Sequence, residues 1–484
     1  MPDFLFDPLP WLVLLPLGWA GLTFLLGPGR GGRLAILGLT GQLALALLLA
    51  IGLLDEGTRV HAVGGWGAPL GIDLVADGLA AVMLLFTQVV ALPLAVYARA
   101  YFGDDKHGIA VHAYFWPLTG FLLAAMNALF LSSDLFNLYV ALELIGLAAV
   151  GLVAAGGGGS QMAAALRYLL VSLMASGAYL LGVALLYSAY GTVSIAALAP
   201  LISSHAPLAV WLAAGLMGIA LMAKTALFPF HFWLPPAHGS ASLPVSALLS
   251  ALVVKASFYL ILRLWLGIFA PLGSVVAWLP GLLGVAAIVW GSVQAIRANR
   301  LKMLVAWSTV AQMGYLFLIF PLLAPDGLAL QAGVMQALSH GLAKAAMFAA
   351  VGVLMRATQR DTVDSLAGVA GRLPFTLFAF ALAGMTIMGL PPSGGFLAKW
   401  LLIDAALRHG QWGWVMVVIL GGLLAAVYVF RVLRQAFLLA PESSQFHPVP
   451  RSLEWIAFGL AVASVLLGLR GVEIMALLAV GGAA

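Results

Sequence analysis

Four lysines stand inside long apolar runs of this 484-residue sequence: Lys224, Lys255, Lys344 and Lys399. A charged side chain at the centre of a membrane helix costs roughly 2.5–3.5 kcal/mol on insertion scales, so these residues call for a use. The loops, by contrast, prefer arginine. Arginine hardly ever gives up its proton in a protein, whereas a buried lysine does so readily. A structural cation can be either residue; four lysines out of four point to groups that release and regain protons. Glu143, in DLFNLYVALELIGLAAV, is the one acid well inside the first eleven apolar runs. It reads either as a structural buried acid or as the partner that keeps a lysine charged from within ~4–6 Å.

Spacing adds detail. His340 and Lys344 are four residues apart and share one face of a helix, which suits a relay with coupled titrations; a histidine on an apolar face can also be purely structural. Lys255 follows serines at 246 and 250. Asp404, five residues after Lys399, is either the end of a relay or an interfacial charge. His231 and His238 flank prolines and read as gate residues or as structural histidines. They have no thiolate or third ligand nearby, so no metal site is expected.

The elements that position these groups must be membrane helices. The chain is 63% hydrophobic and 8% charged, with a mean hydropathy of +1.10, against roughly 25% charged in soluble proteins. Lipid admits only helices or closed barrels, and continuous runs of ~20 residues select helices. The expected fold is all-α, with about fourteen spans and no soluble domain. The seventh span, 207–233, breaks near Pro229, and the twelfth, 374–407, breaks at Pro391 and Pro392. Residues 74–98 are expected to form the third span, and 27–32 reads as a loop even though it fits G-x-G-x-x-G, because no strand precedes it. The chain is read as a single membrane domain, 1–484. Within it, 1–111 holds the first three helices, 112–266 and 274–438 follow, and 453–478 is the last helix.

Charge placement orients the helices. Apart from the four intramembrane lysines, only Arg59, Arg263, Arg408 and Arg470 fall on one side. The remaining bases, Lys106 and Lys302 among them, fall on the other. By the positive-inside rule both the N- and the C-terminal ends face outward. The basic excess is thus a topology signal, and nucleic-acid binding is not expected. The chain has no cysteine, which excludes thiolate metal sites and cysteine-ligated clusters. No Walker lysine motif is present, which argues against ATP as the direct energy source. No cofactor is expected.

The sequence resembles the antiporter-like membrane subunits shared by Mrp-type cation/proton antiporters, respiratory complex I and membrane-bound hydrogenases. The resemblance rests on the Glu143 segment, KTALFPFHFWLPPAH (224–238), PVSALLSALVVKASFYLILR (244–263), LKMLVAWSTVAQMGY (301–315), SHGLAKAAMF (339–348) and GLPPSGGFLAKW (389–400). GGWGAPLGIDLVADGLAAVM (64–83) looks most like the D-type subunit of the Mrp antiporters. The resemblance implies two inverted five-helix repeats, helices 4–8 and 9–13, with helices 7 and 12 broken. It matches Glu143 and Lys224 to a central pair, Lys255 and Lys344 to a middle relay, and Lys399 to an exit lysine. Arg167 stands where many relatives carry a relay lysine, which puts that role in doubt here. The implied protein is a transporter subunit, not an enzyme, in a prokaryotic inner membrane beside other membrane subunits. It would move protons along Lys224, Lys255, His340/Lys344 and Lys399 in exchange for Na+. Membrane-depth oxygens are scarce (Glu143, with Asp77 and Asp404 as further candidates), so the sodium site is expected on a partner. A pumping subunit of a redox enzyme and a non-transporting scaffold are the alternatives.

Overall fold

The computed structural model describes residues 7–68, 71–103, 109–440 and 445–482; Lys106 lies outside them. About four fifths of the described chain is helical. Asp7 caps the N-terminus of α1 (Pro8–Glu56) through Leu9 N, and prolines occupy its first turn, where the missing N–H costs nothing. At Gly27 (φ 70°, ψ 176°) α1 turns back on itself. Trp19 Nε1 donates to Gln42 Oε1 across the resulting hairpin (3.2 Å). The expected loop at 27–32 is therefore a corner of one residue: glycine alone takes the left-handed φ without cost, and Pro28 restarts the helix.

A short hairpin, β1 (Arg59–Ala62) against β2 (Asp73–Ala76), precedes α2 (Gly78–Phe102). The third span thus begins four residues later than expected. The β-branched and leucine residues of IDLVA pair as a strand, and Asp77 caps α2 through Ala80 N. There follow α3 (Ile109–Leu131), α4 (Leu135–Ala154), α5 (Gly159–Tyr190), α6 (Leu208–Lys224), α7 (Leu234–Ser240), α8 (Leu243–Leu272) and α9 (Ser274–Arg297). The remaining elements are α10 (Leu301–Phe317), α11 (Leu328–Thr358), α12 (Pro374–Met388), α13 (Gly394–Arg408), α14 (Trp412–Phe437), α15 (Arg451–Leu469) and α16 (Gly471–Leu478). Among the described residues eleven helices are long and apolar enough to cross a membrane, and α6 and α12 are shorter apolar helices.

Two layers of burial separate lipid from hub. In α8, α10 and α11, 89–94% of the most apolar stretch is inside the molecule, against 28–39% in α1, α5, α9, α14 and α15. The peripheral helices turn leucine and phenylalanine outward, as lipid permits. A polar group on the hub helices has no route to the headgroups by snorkelling, so it must find its partners inside.

Both breaks expose backbone. α6 stops at Lys224, five residues before the expected Pro229, because Ala226 adopts a positive φ of 56°. The freed carbonyls are taken locally: Trp233 Nε1 donates to Ala223 O (2.9 Å) and Thr225 Oγ1 to Met222 O (2.9 Å). Trp233 itself lies flat on Tyr168 of α5, with centroids 4.1 Å apart. α12 ends at Met388 and Gly389 (φ 85°), and Ser393 caps α13 through Phe396 N. α8 is continuous but contains a π-turn over Leu249–Val253. Such a turn widens the helix and often marks a functional position.

Candidate functional site

The four lysines are all buried, on α6, α8, α11 and α13, and each finds a different set of oxygens. Lys224 Nζ donates to Ser172 Oγ of α5 (2.8 Å) and lies 3.6 Å from Glu143 Oε1 of α4. Gly146 makes room for this contact, since a Cβ there would fall 2.5 Å from Ser172 Oγ. Among the described residues Lys224 is the one of the four within ion-pair distance of a carboxylate.

Lys255 follows the π-turn of α8, and its ammonium donates to Ser250 O within that turn. Ser250 Oγ shares a hydrogen bond with Thr309 Oγ1 of α10 (2.9 Å), which ties the turn to the next hub helix. Lys344 reaches across from α11 to α10, donating to Val305 O (3.0 Å) and to Ser308 Oγ. Its helix neighbour His340 makes no bond to it. Both ring nitrogens of His340 are buried without a hydrogen-bond partner, although Lys255, Lys344 and Lys399 are all within electrostatic reach. The expected His340–Lys344 unit thus shares a region but not a bond, because Lys344 is drawn toward the α10 oxygens.

Lys399 extends back from α13 to cap the broken end of α12, donating to Ile387 O (2.8 Å) and Met388 O (3.0 Å). Its ammonium also lies 4.5 Å from the ring centre of Tyr315, a cation–π contact. Freed carbonyls at a helix C-terminus carry partial negative charge, so both breaks attract a cation. Lys399 uses that attraction directly. Lys224, the last residue of α6, points instead toward Glu143 and Ser172.

The accessory candidates separate. His238, on α7, is fully buried with both ring nitrogens unpartnered, within electrostatic reach of Lys255, Lys344 and Lys302. His231 stacks on Phe228 (5.4 Å) with its Nδ1 unpartnered. Asp404 forms an i,i+4 pair with Arg408 (3.0 Å) at the exposed end of α13, and its described bonds run to that arginine. Asp77 is held by both Nη atoms of Arg263. Arg167 lies exposed on α5.

Sequence reading missed several residues. Lys302 counts there as a loop base, yet it is buried at the start of α10 with its ammonium on Ala241 O and its backbone N–H on Asp361 Oδ1 (3.0 Å). Its neighbours in sequence, Arg297 and Arg300, give it the look of a topology signal; the absence of any polar residue directly after it was the available clue. Ser172, Ser308 and Thr309 are small hydroxyls of a kind common in membrane helices, and nothing in the sequence shows which of them face a lysine.

The family model described as NADH:quinone oxidoreductase/Mrp antiporter, TM, matches residues 132–425, a range that includes Glu143 and all four lysines. The chain is 37% identical to the N subunit of the NADH-quinone oxidoreductase of Desulforudis audaxviator, covering 85% of this chain and 81% of that protein. It is 26% identical to the D-type subunit of the Na(+)/H(+) antiporter of Bacillus subtilis, covering 86% and 83%. A chain in the structure of the Mrp complex from Dietzia sp. DQ12-45-1b superposes with a TM-score of 0.89 at 28% identity, over 98% of this chain and 97% of that one. The protein is a multi-pass membrane protein and belongs to the NADH:quinone oxidoreductase/Mrp antiporter transmembrane family.

Proposed function

We propose that this chain is the proton-conducting subunit of a multi-subunit, Mrp-type cation/proton antiporter, with protons moving along Lys224, Lys255, His340/Lys344 and Lys399. The observation that carries the reading is the row itself. Four buried lysines each donate to a carbonyl or hydroxyl oxygen, and only the first is paired with an acid among the described residues. Carbonyls steady an ammonium but cannot take its proton. A lysine so held can pass the proton only to another base or through a hydroxyl, which suits a conductor better than a fixed structural charge.

Glu143 governs the entry. While the pair is closed, Lys224 keeps its proton; when it opens, a lone buried ammonium is costly and the proton moves on. His231 and His238 stand beside the α6–α7 break as gate or accessory groups. Asp77 and Asp404 are engaged with arginines and Glu143 with Lys224, so oxygens for a hard cation are few in this chain. We place the sodium site on a partner membrane subunit. The repeats 112–266 and 274–438, the inner membrane of a prokaryote and outward-facing termini complete the proposal. In everted vesicles carrying the assembled complex, Glu143→Gln lowers Na+-driven proton exchange by about tenfold or more, a barrier change of ~1.4 kcal/mol or more. Full exchange in that variant would favour a non-transporting scaffold.

One observation favours a second reading. The identity to the N subunit of the NADH-quinone oxidoreductase exceeds that to the D-type antiporter subunit, as expected of a pumping subunit in a redox complex. Purification of the native assembly decides: accompanying flavin, iron–sulfur or quinone-binding subunits establish the second reading, and membrane subunits alone establish the first.

A further inference from the structure

The ammonium of Lys399 has three N–H bonds to place. Two go to carbonyls freed where α12 ends, Ile387 O (2.8 Å) and Met388 O (3.0 Å). The third partner is an aromatic face: Nζ stands over the ring of Tyr315, from α10, 4.5 Å from its centre. The ring is fixed by what surrounds it. Tyr315 is buried, and its hydroxyl lies against Gly421 of α14, where an added Cβ would fall 2.2 Å from Oη. That hydroxyl has no hydrogen-bond partner among the described residues. The polar end of the tyrosine is thus idle, and its π face meets the charge. On the lysine side, Gly389 (φ 85°) leaves room for the stem, since a Cβ there would fall 2.5 Å from Lys399 Cδ.

All three partners offer negative charge to the ammonium. Two are carbonyl dipoles at a helix C-terminus, and the third is the negative face of a ring. A neutral amine has one N–H fewer and carries a lone pair, to which none of these partners can donate. The pocket therefore suits the charged form of Lys399 and not the neutral one. We infer that Tyr315 is a positioning residue for the last lysine of the row, its ring holding the newly protonated Lys399 at the α12 break. The inference rests on the proton-conducting reading. It gives the task to the ring and not to the hydroxyl. Without the ring, one N–H of a buried ammonium loses its partner, charging Lys399 becomes costlier, and fewer protons reach the end of the row.

The test uses the complete complex in proteoliposomes, with proton flux as the readout. Tyr315→Leu is expected to lower flux by about fivefold or more, within the range of a desolvated cation–π contact, and Tyr315→Phe to recover it. Phenylalanines with increasing numbers of ring fluorines, introduced at the same position, keep the shape while withdrawing charge from the face. Flux is expected to fall stepwise with fluorine count, and this series carries the test even where Tyr315→Leu fails to assemble. Equal flux across the series overturns the inference, since a ring that only fills space would not respond. Flux in Tyr315→Phe as low as in Tyr315→Leu also overturns it, in favour of the hydroxyl. Either result beside a dead Lys399→Met leaves the row intact. Full flux in Lys399→Met removes the proton reading and the positioning role with it.

Discussion

Lys224 and Lys399 stand beside the two helix breaks and use them in opposite ways. Lys399 bonds the freed α12 carbonyls itself. Lys224 leaves the α6 carbonyls to Trp233 and Thr225 and turns to Ser172 and Glu143. The difference matters for transport: a carboxylate that can approach or retreat adjusts how firmly Lys224 keeps its proton, and a carbonyl cannot. Ser172 is the fixed half of that pocket. Ser172→Ala removes a hydrogen bond to a charged group, typically ~1.5–3 kcal/mol; proton exchange by the complex is expected to fall about tenfold or more, with Glu143 left in place. An unchanged rate would show that Ser172 only fills space. At this scale the lysines, Glu143 and the histidines were legible in the sequence because burying a charge is costly and therefore conspicuous. Their partners were not. Backbone carbonyls carry no sequence signature, and Ser172 and Ser308 look like ordinary residues of membrane helices until the fold brings them to a lysine.

The elements were legible where their signals are local, as in the apolar runs and the proline-rich interruptions. They were less so where one residue's backbone decides. α6 ends at Lys224 because Ala226 takes a positive φ, and alanine gives no warning of that; Pro229, the visible breaker, lies beyond the true end. The corner at Gly27 and the strand at Asp73–Ala76 were misread for similar reasons, since glycine also fits a loop and an apolar strand also fits a helix start. The break after α6 is closed by Trp233, so it carries a prediction of its own. Trp233→Phe keeps a ring on Tyr168 but removes the indole bond to Ala223 O, which then keeps only the Ala226 N–H (3.1 Å). Loss of that one bond costs about 0.5–1.5 kcal/mol, and the unfolding midpoint of the purified complex falls. A midpoint equal to wild type would mean that the Ala226 N–H alone suffices for the carbonyl and the indole bond adds nothing.

Across the whole molecule, burial divides the hub helices α8, α10 and α11 from a lipid-facing ring, and two of the four lysines, Lys255 and Lys344, are fully buried on the hub helices α8 and α11. The hydropathy of the sequence announces a membrane protein but not which helices are central, because inward and outward faces are equally apolar in lipid. Orientation is a claim at this scale. A phosphatase reporter fused after α16 is expected to be active and a fluorescent-protein fusion there to be dark; the reverse would invert the assignment of sides. The most direct measurement of the central claim is proton flux in proteoliposomes holding the assembled complex, with Lys224, Lys255, Lys344 and Lys399 replaced one at a time by methionine. Each replacement is expected to lower flux by about tenfold or more while the complex still assembles. Full flux after replacing any one of the four would contradict a single row through all of them.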